Sequence, residues 1–204
     1  MKVSTFSHYI LLLTVMLMTK FAYSVEIEQC GNSPQAQQPA QFIINDAEQQ
    51  RATLRCNPLL TKIAIEKAAA MVEHGIVQHN LGGSPNARLR SYGYKLPEYY
   101  GLLLSNQVEA ITGGYTTAEV WHAFKNSDTH RKHLLGELEF YLEQDGIGIA
   151  FLREWQTPHV EYWVVYLTKG FAENQDNKFK GTEIPNKSPY DVVEVKKNKK
   201  IDKD

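Results

Sequence analysis

The feature that most limits what this chain can become is the apolar run at residues 160–167, where Val160, Tyr162, Val164 and Tyr166 alternate with Glu161, Trp163, Val165 and Leu167. A strand that is β-branched and aromatic on both faces must be covered on both. Residues 146–152 come just before it and divide differently. Ile147, Ile149 and Phe151 point to one face, while Gly148 and Ala150 point to the other and leave room for a helix to approach closely. The short connector through Trp155 and Pro158 predicts that the two strands are antiparallel.

Upstream, the periodicity is helical. Phe42, Ile43, Ala47, Gln50 and Leu54 recur at helical spacing from Gln41 onward, and Asn57-Pro58 ends that pattern. A second helix is expected from about Pro58 to His74, with Leu60, Ile63, Ala64, Ala68, Met71 and Val72 on one stripe and Gly75 as its stop. Ser84-Pro85 reads as a helix start leading through Leu89 to Gly93, and residues 99–105 as a buried extended segment. Thr116 and Glu119 form a capping-box pattern before a helix presenting Val120, Trp121 and Phe124 to the interior. Helices followed by antiparallel strands make an α+β fold.

Residues 1–24 read as an export signal: Lys2, an apolar run over residues 9–18, then Ala22-Tyr23-Ser24 before the expected cut. An uncleaved anchor is the alternative, and no later stretch is apolar enough to cross a bilayer. Cleavage would remove Lys2 and Lys20 and no acid, leaving 20 basic against 23 acidic side chains, a net charge of -3. That balance gives no electrostatic reason for nucleic acid or an anionic membrane as partner. Residues 25–39 read as a flexible arm rich in Gln, Pro and Ala, residues 40–171 as one domain, and residues 172–204 as a charged, disordered tail. The chain is thus expected to be extracytoplasmic, periplasmic or secreted. In that compartment a Cys30–Cys56 disulfide is the simplest pairing, the alternatives being free thiols or cysteines that exchange with a partner.

Two segments carry a family resemblance. Met71-Val-Glu-His-Gly-Ile-Val-Gln-His79-Asn80 and Phe124-Lys-Asn-Ser-Asp-Thr-His130-Arg-Lys-His-Leu-Leu135 resemble a bacterial CAP domain, the superfamily of cysteine-rich secretory proteins, antigen 5 and plant pathogenesis-related proteins. The resemblance covers roughly residues 40–171 and implies a three-layer α-β-α sandwich with a small antiparallel sheet. It also implies that His79 and His130 face one cleft. In many CAP proteins two glutamates join the two histidines, a partial first shell for zinc. Where the family reads Gly-Glu-Asn this chain has Gly101-Leu102-Leu103, and the second glutamate would fall near Ser127. Leu102 and Ser127 are therefore expected in the cleft, and a divalent ion such as zinc is expected to bind weakly or not at all. Glu98 and Glu109 are the nearest substitute carboxylates, and sequence places neither.

Other candidates are weaker. His130 and His133, three apart on one helical turn, read as one buried and one exposed residue. Ser127 reads as a helix cap rather than a nucleophile, since no Gly-x-Ser-x-Gly elbow surrounds it. His74 and His122 read as helix-surface residues. Tyr92, Tyr94, Tyr99, Tyr100 and Trp121 are aromatic residues that would line a cleft or fill a core. The resulting expectation is a binding or interaction module for a small amphipathic ligand, lipid or peptide. The alternatives are a metal-dependent hydrolase acting on protein or cell-wall material, and a structural envelope protein.

Overall fold

The computed structural model describes residues 27–101 and 106–170. The export signal, Leu102 and the charged tail lie outside the described residues.

Four strands form one sheet: β1 (Arg55–Cys56), β2 (Glu109–Gly113), β3 (Gly146–Arg153) and β4 (Glu161–Thr168), in the order β1-β3-β4-β2. β3 and β4 pair antiparallel with Gly146 opposite Thr168 and Phe151 opposite Trp163. β2 is antiparallel to β4, with Glu109 opposite Tyr166. The expected purely antiparallel sheet is corrected by β1, which runs parallel to β3. Its two residues are too short a run to show a strand period.

The helices are α1 (Pro34–Asn45), α2 (Pro58–His74), α3 (Pro85–Ser91), α4 (Val120–Asn126), α5 (Asp128–Leu135) and α6 (Glu139–Leu142), with a 3-10 turn at Glu98–Tyr100. They cover both faces of the sheet, because β4 is apolar on both. Trp163, Val165 and Leu167 join Ile147, Ile149 and Phe151 under Ile43 of α1 and Val120 and Phe124 of α4. Tyr162, Val164 and Tyr166 join Ala150 under Leu60, Ile63, Ala64, Ala68 and Met71 of α2. The fold is α+β, with the sheet between two helical layers.

α2 follows the sequence closely. Asn57 accepts from the amides of Leu59 and Leu60, Pro58 opens the helix, and Gly75 closes it at φ 64°, a left-handed conformation that costs glycine little. Gly148 lets α2 settle onto β3, since a Cβ there would collide with the backbone of Leu60 and Thr61. Ser84 likewise caps α3, accepting from Ala87 N at 3.2 Å.

Three segments differ from expectation. The supposed arm is helical: Ser33 accepts from Ala36 N, Pro34 takes the first turn, and Ala36, Pro39, Ala40 and Ile43 form a buried stripe. Small residues hide that stripe in the sequence, and the helix ends at Asn45 rather than near Asn57. The extended segment expected from Tyr99 starts instead as the 3-10 turn, with Tyr99 57% exposed and Tyr100 buried. Strand β2 has no counterpart among the elements expected from the sequence.

Cys30 and Cys56 form a disulfide with Cα atoms 4.5 Å apart. Both are buried. The bridge holds the N-terminal segment along the outer edge of β3, where Cys30 O accepts from Ile149 N at 2.7 Å. The Asn32 amide extends that edge, donating to Phe151 O at 3.0 Å and accepting from Phe151 N at 2.9 Å. No described helix is long and apolar enough to cross a membrane.

Candidate functional site

β2 is an edge strand of the sheet, and its first residue is Glu109. Opposite residues of an antiparallel pair share a face, so Glu109 and Tyr166 stand side by side on the α2 face of the sheet. The Tyr166 hydroxyl donates to Glu109 Oε2 at 2.6 Å. Burial and the neighbouring Glu109 charge push the Tyr166 hydroxyl well above its ordinary range, so it stays a donor.

The other oxygen of Glu109 meets the loop between α2 and α3. His79 Nδ1 lies 2.8 Å from Glu109 Oε1, and the carboxylate is fully buried while the imidazole is 39% exposed. Asn106 Nδ2 is also 3.0 Å from His79 Nδ1. Both contacts cannot be hydrogen bonds to one ring nitrogen in one tautomer. Asn106 is otherwise committed, with Oδ1 accepting from Glu109 N at 2.9 Å and Nδ2 donating to Glu109 O at 3.0 Å. A carboxylate oxygen facing a ring lone pair at 2.8 Å would be repulsive, so Nδ1 carries the proton and donates to Glu109. In the neutral ring Nε2 is then an acceptor, with no hydrogen-bond partner among the described residues.

The loop is held by cations from two helices. Lys67 of α2, fully buried, donates from Nζ to Gln78 O at 2.6 Å and His79 O at 2.8 Å. Burial lowers the Lys67 ammonium to about 8, partly opposed by the Glu109 charge. Arg88 of α3 donates to Leu81 O at 2.6 Å.

His130 approaches from α5. It is half-buried, its ring sits edge-on to Phe124 with centroids 5.2 Å apart, and it lies within electrostatic reach of His79. Burial, and then the His79 charge, lowers its basicity. The two histidines picked out in the sequence therefore lie within electrostatic reach of each other, His79 beside β2 and His130 on α5. They do not stand without a carboxylate: Glu109 backs His79, whereas Glu98 opens the exposed 3-10 turn. The signal that could place Glu109 is the strand period of Glu109, Ile111 and Gly113, which is short and easily passed over.

Among the described residues, no group of three or more His, Cys, Asp or Glu side chains could hold an ion. The geometry offers two imidazoles, one already tied to the carboxylate, which is short of a zinc shell. Ser127 heads α5, but its side chain makes no capping bond, contrary to expectation, and bonds to no imidazole among the described residues. Asp128 pairs with Arg131 and Lys132 in that first turn instead. The aromatic residues do not converge: Tyr94 and Tyr100 pack with α2, Trp121 packs across the sheet beside Asp46, and Tyr99 bonds Glu143 on the surface. His74 and His122 are exposed on their helices.

A second buried polar group surrounds Arg51 and His133. The guanidinium spends all five protons: on Tyr141 O, Gln49 Oε1, Leu134 O, His133 O and Gln144 Oε1, at 2.7–3.3 Å. Two of these carbonyls end α5, where a cation suits the helix terminus. Burial lowers Arg51 to about 10. His133 is lowered to about 3 by burial and then by the Arg51 charge. A surface hollow of about 400 Å³ lies beside this group, lined by Gln50, Glu137, Leu138 and Leu142, and not beside His79.

No family model and no curated protein matches the chain. Among solved structures, an outer surface protein from Borrelia burgdorferi is similar at a TM-score of 0.51 and 22% identity, over 64% of this chain and 88% of that one. The likeness is one of fold.

Proposed function

We propose that the chain is an exported, CAP-like binding or interaction module. Its cleft at the β2 edge, between His79 and His130, takes the polar end of a small amphipathic ligand, lipid or peptide. The observation that carries this reading is the half-exposed imidazole of His79, fixed through Nδ1 by buried Glu109 and left with an unspent nitrogen. A rigid acceptor at the mouth of an otherwise satisfied network orients a ligand at little entropic cost. The disulfide favours an oxidising, extracytoplasmic location. Hydrolysis is the weaker reading, because no third metal ligand and no serine paired with histidine accompany the imidazoles among the described residues.

The test is titration of the protein with a fluorescent fatty-acid analogue, a short-peptide pool and zinc. One of the first two should bind, and His79→Ala should weaken it by about tenfold, the worth of one lost hydrogen bond. Nanomolar zinc binding with zinc-dependent peptide hydrolysis would replace the module with a metalloenzyme.

A further inference from the structure

Lys67 is costly where it stands. An ammonium removed from water is tolerated when it is paired or fully hydrogen-bonded, and among the described residues no carboxylate pairs with it directly. A leucine or methionine would suit the α2 stripe better. What the lysine gains is two consecutive carbonyls, Gln78 O and His79 O, in a loop without regular structure. Between Gly75 and Ser84 the backbone bonds itself through Ile76 N to Met71 O and Gly83 N to Asn80 O, and neither bond involves residues 78 or 79. Side chains hold the part between: Lys67 at residues 78 and 79, Arg88 at Leu81, and Glu109 on the imidazole.

We propose that Lys67 is the positioning residue of the His79 cleft. Its buried ammonium clamps the two carbonyls that flank the His79 Cα, and so sets the ring where Nδ1 meets Glu109 and Nε2 faces outward. Glu109 alone leaves the ring free to follow the loop, since a single contact at the ring nitrogen fixes neither the backbone nor the approach angle. The clamp comes from the middle of α2, the helix packed closely on the sheet through Gly148, so the loop inherits the rigidity of the core. The charged and titratable groups around Lys67 are Glu109 on β2 and Arg88 on α3, with the His79 ring beyond its own carbonyl. Arg88 opposes the Lys67 charge and Glu109 favours it.

The inference rests on the cleft being the working site, yet its test needs no ligand, so failure of the binding reading leaves it standing and its own failure is separately visible. The readout is the His79 ring tautomer by ¹⁵N NMR, with the buried His133 ring as an internal control for the rest of the fold. In Lys67→Met the His79 ratio should move about tenfold from Nδ1–H toward Nε2–H, the effect of one charge-assisted hydrogen bond, while His133 signals stay put. Lys67→Gln reaches one carbonyl at most and should shift the ratio by less. If Lys67→Met does not fold, the glutamine variant decides. A folded variant of either kind with an unchanged His79 tautomer overturns the proposal.

Discussion

The two buried polar groups of this molecule are built from similar side chains and finished in opposite ways. Around Arg51 every donor is spent, two of the five on backbone carbonyls at the end of α5, and the neighbouring His133 is sealed from water. Around Glu109 the carboxylate is equally buried, but the chain of bonds stops at His79, which is left half-exposed with a nitrogen to spare. The first group closes a gap between helices. The second leaves an imidazole nitrogen open beside β2. Saturation, rather than the presence of buried charge, is what separates the two groups.

Removing a partner from each group should break the molecule in different places. Arg51→Met removes five hydrogen bonds at once and leaves the carbonyls of His133, Leu134 and Tyr141 with only Gly136 N, Gln49 Nε2 and Gln144 N as donors, and should cost on the order of 2–4 kcal/mol in chemical denaturation. The fraction that remains folded should still bind the cleft probe. If Arg51→Met is nearly as stable as the parent, the guanidinium is not the keystone of its group.

Acid should act on the closed group. His133 titrates at about 3 in the folded chain against 6.5 when free, so between these values the unfolded state takes up the proton that the folded state refuses. The His133 contribution to stability is therefore full above pH 6.5, falls as pH drops toward 3, and loses on the order of a few kcal/mol across that window. His133→Phe should flatten this limb of a melting-temperature profile. Lys67 has the alkaline counterpart: lowered to about 8 from 10.5, it makes the folded state more stable as pH rises across that range, and Lys67→Met should remove that slope.

The smallest effect on stability belongs to the open group. His79→Ala leaves Glu109 bonded to Tyr166 and should change unfolding by about 1 kcal/mol or less, while removing most of the probe affinity. A large stability loss without a binding change would make His79 one more structural histidine and erase the contrast between the two groups.

Much of this is legible in the residues. Asn57-Pro58 and Gly75 bracket α2 because capping and left-handed φ are local demands. The faces of β3 and β4 follow from side-chain period, and Gly148 announces the close approach of α2. His79 and His130 stand out through the segments that carry them. What escapes depends on distant partners. β2 is five residues long, and its burial is decided by pairing with β4 rather than by its own composition, so sequence alone does not align Glu109 with His79. α1 hides behind prolines and glutamines because its buried stripe uses Ala36, Pro39 and Ala40, residues whose packing shows only when the sheet is present. Arg51, in an irregular stretch between α1 and β1, gives no local sign of the acceptors that converge on it, most of which lie more than 80 residues away.

The most direct test of the contrast is the protonation state of the His79 ring in the unmodified protein, read by long-range ¹H–¹⁵N NMR at a pH where the ring is neutral. The expected result is the Nδ1–H tautomer, held by Glu109 and reverting toward Nε2–H in Glu109→Gln. A ring found as Nε2–H in the unmodified protein would mean that Asn106, not His79, supplies the donor at Nδ1, and would contradict the assignment of His79 as an outward-facing acceptor.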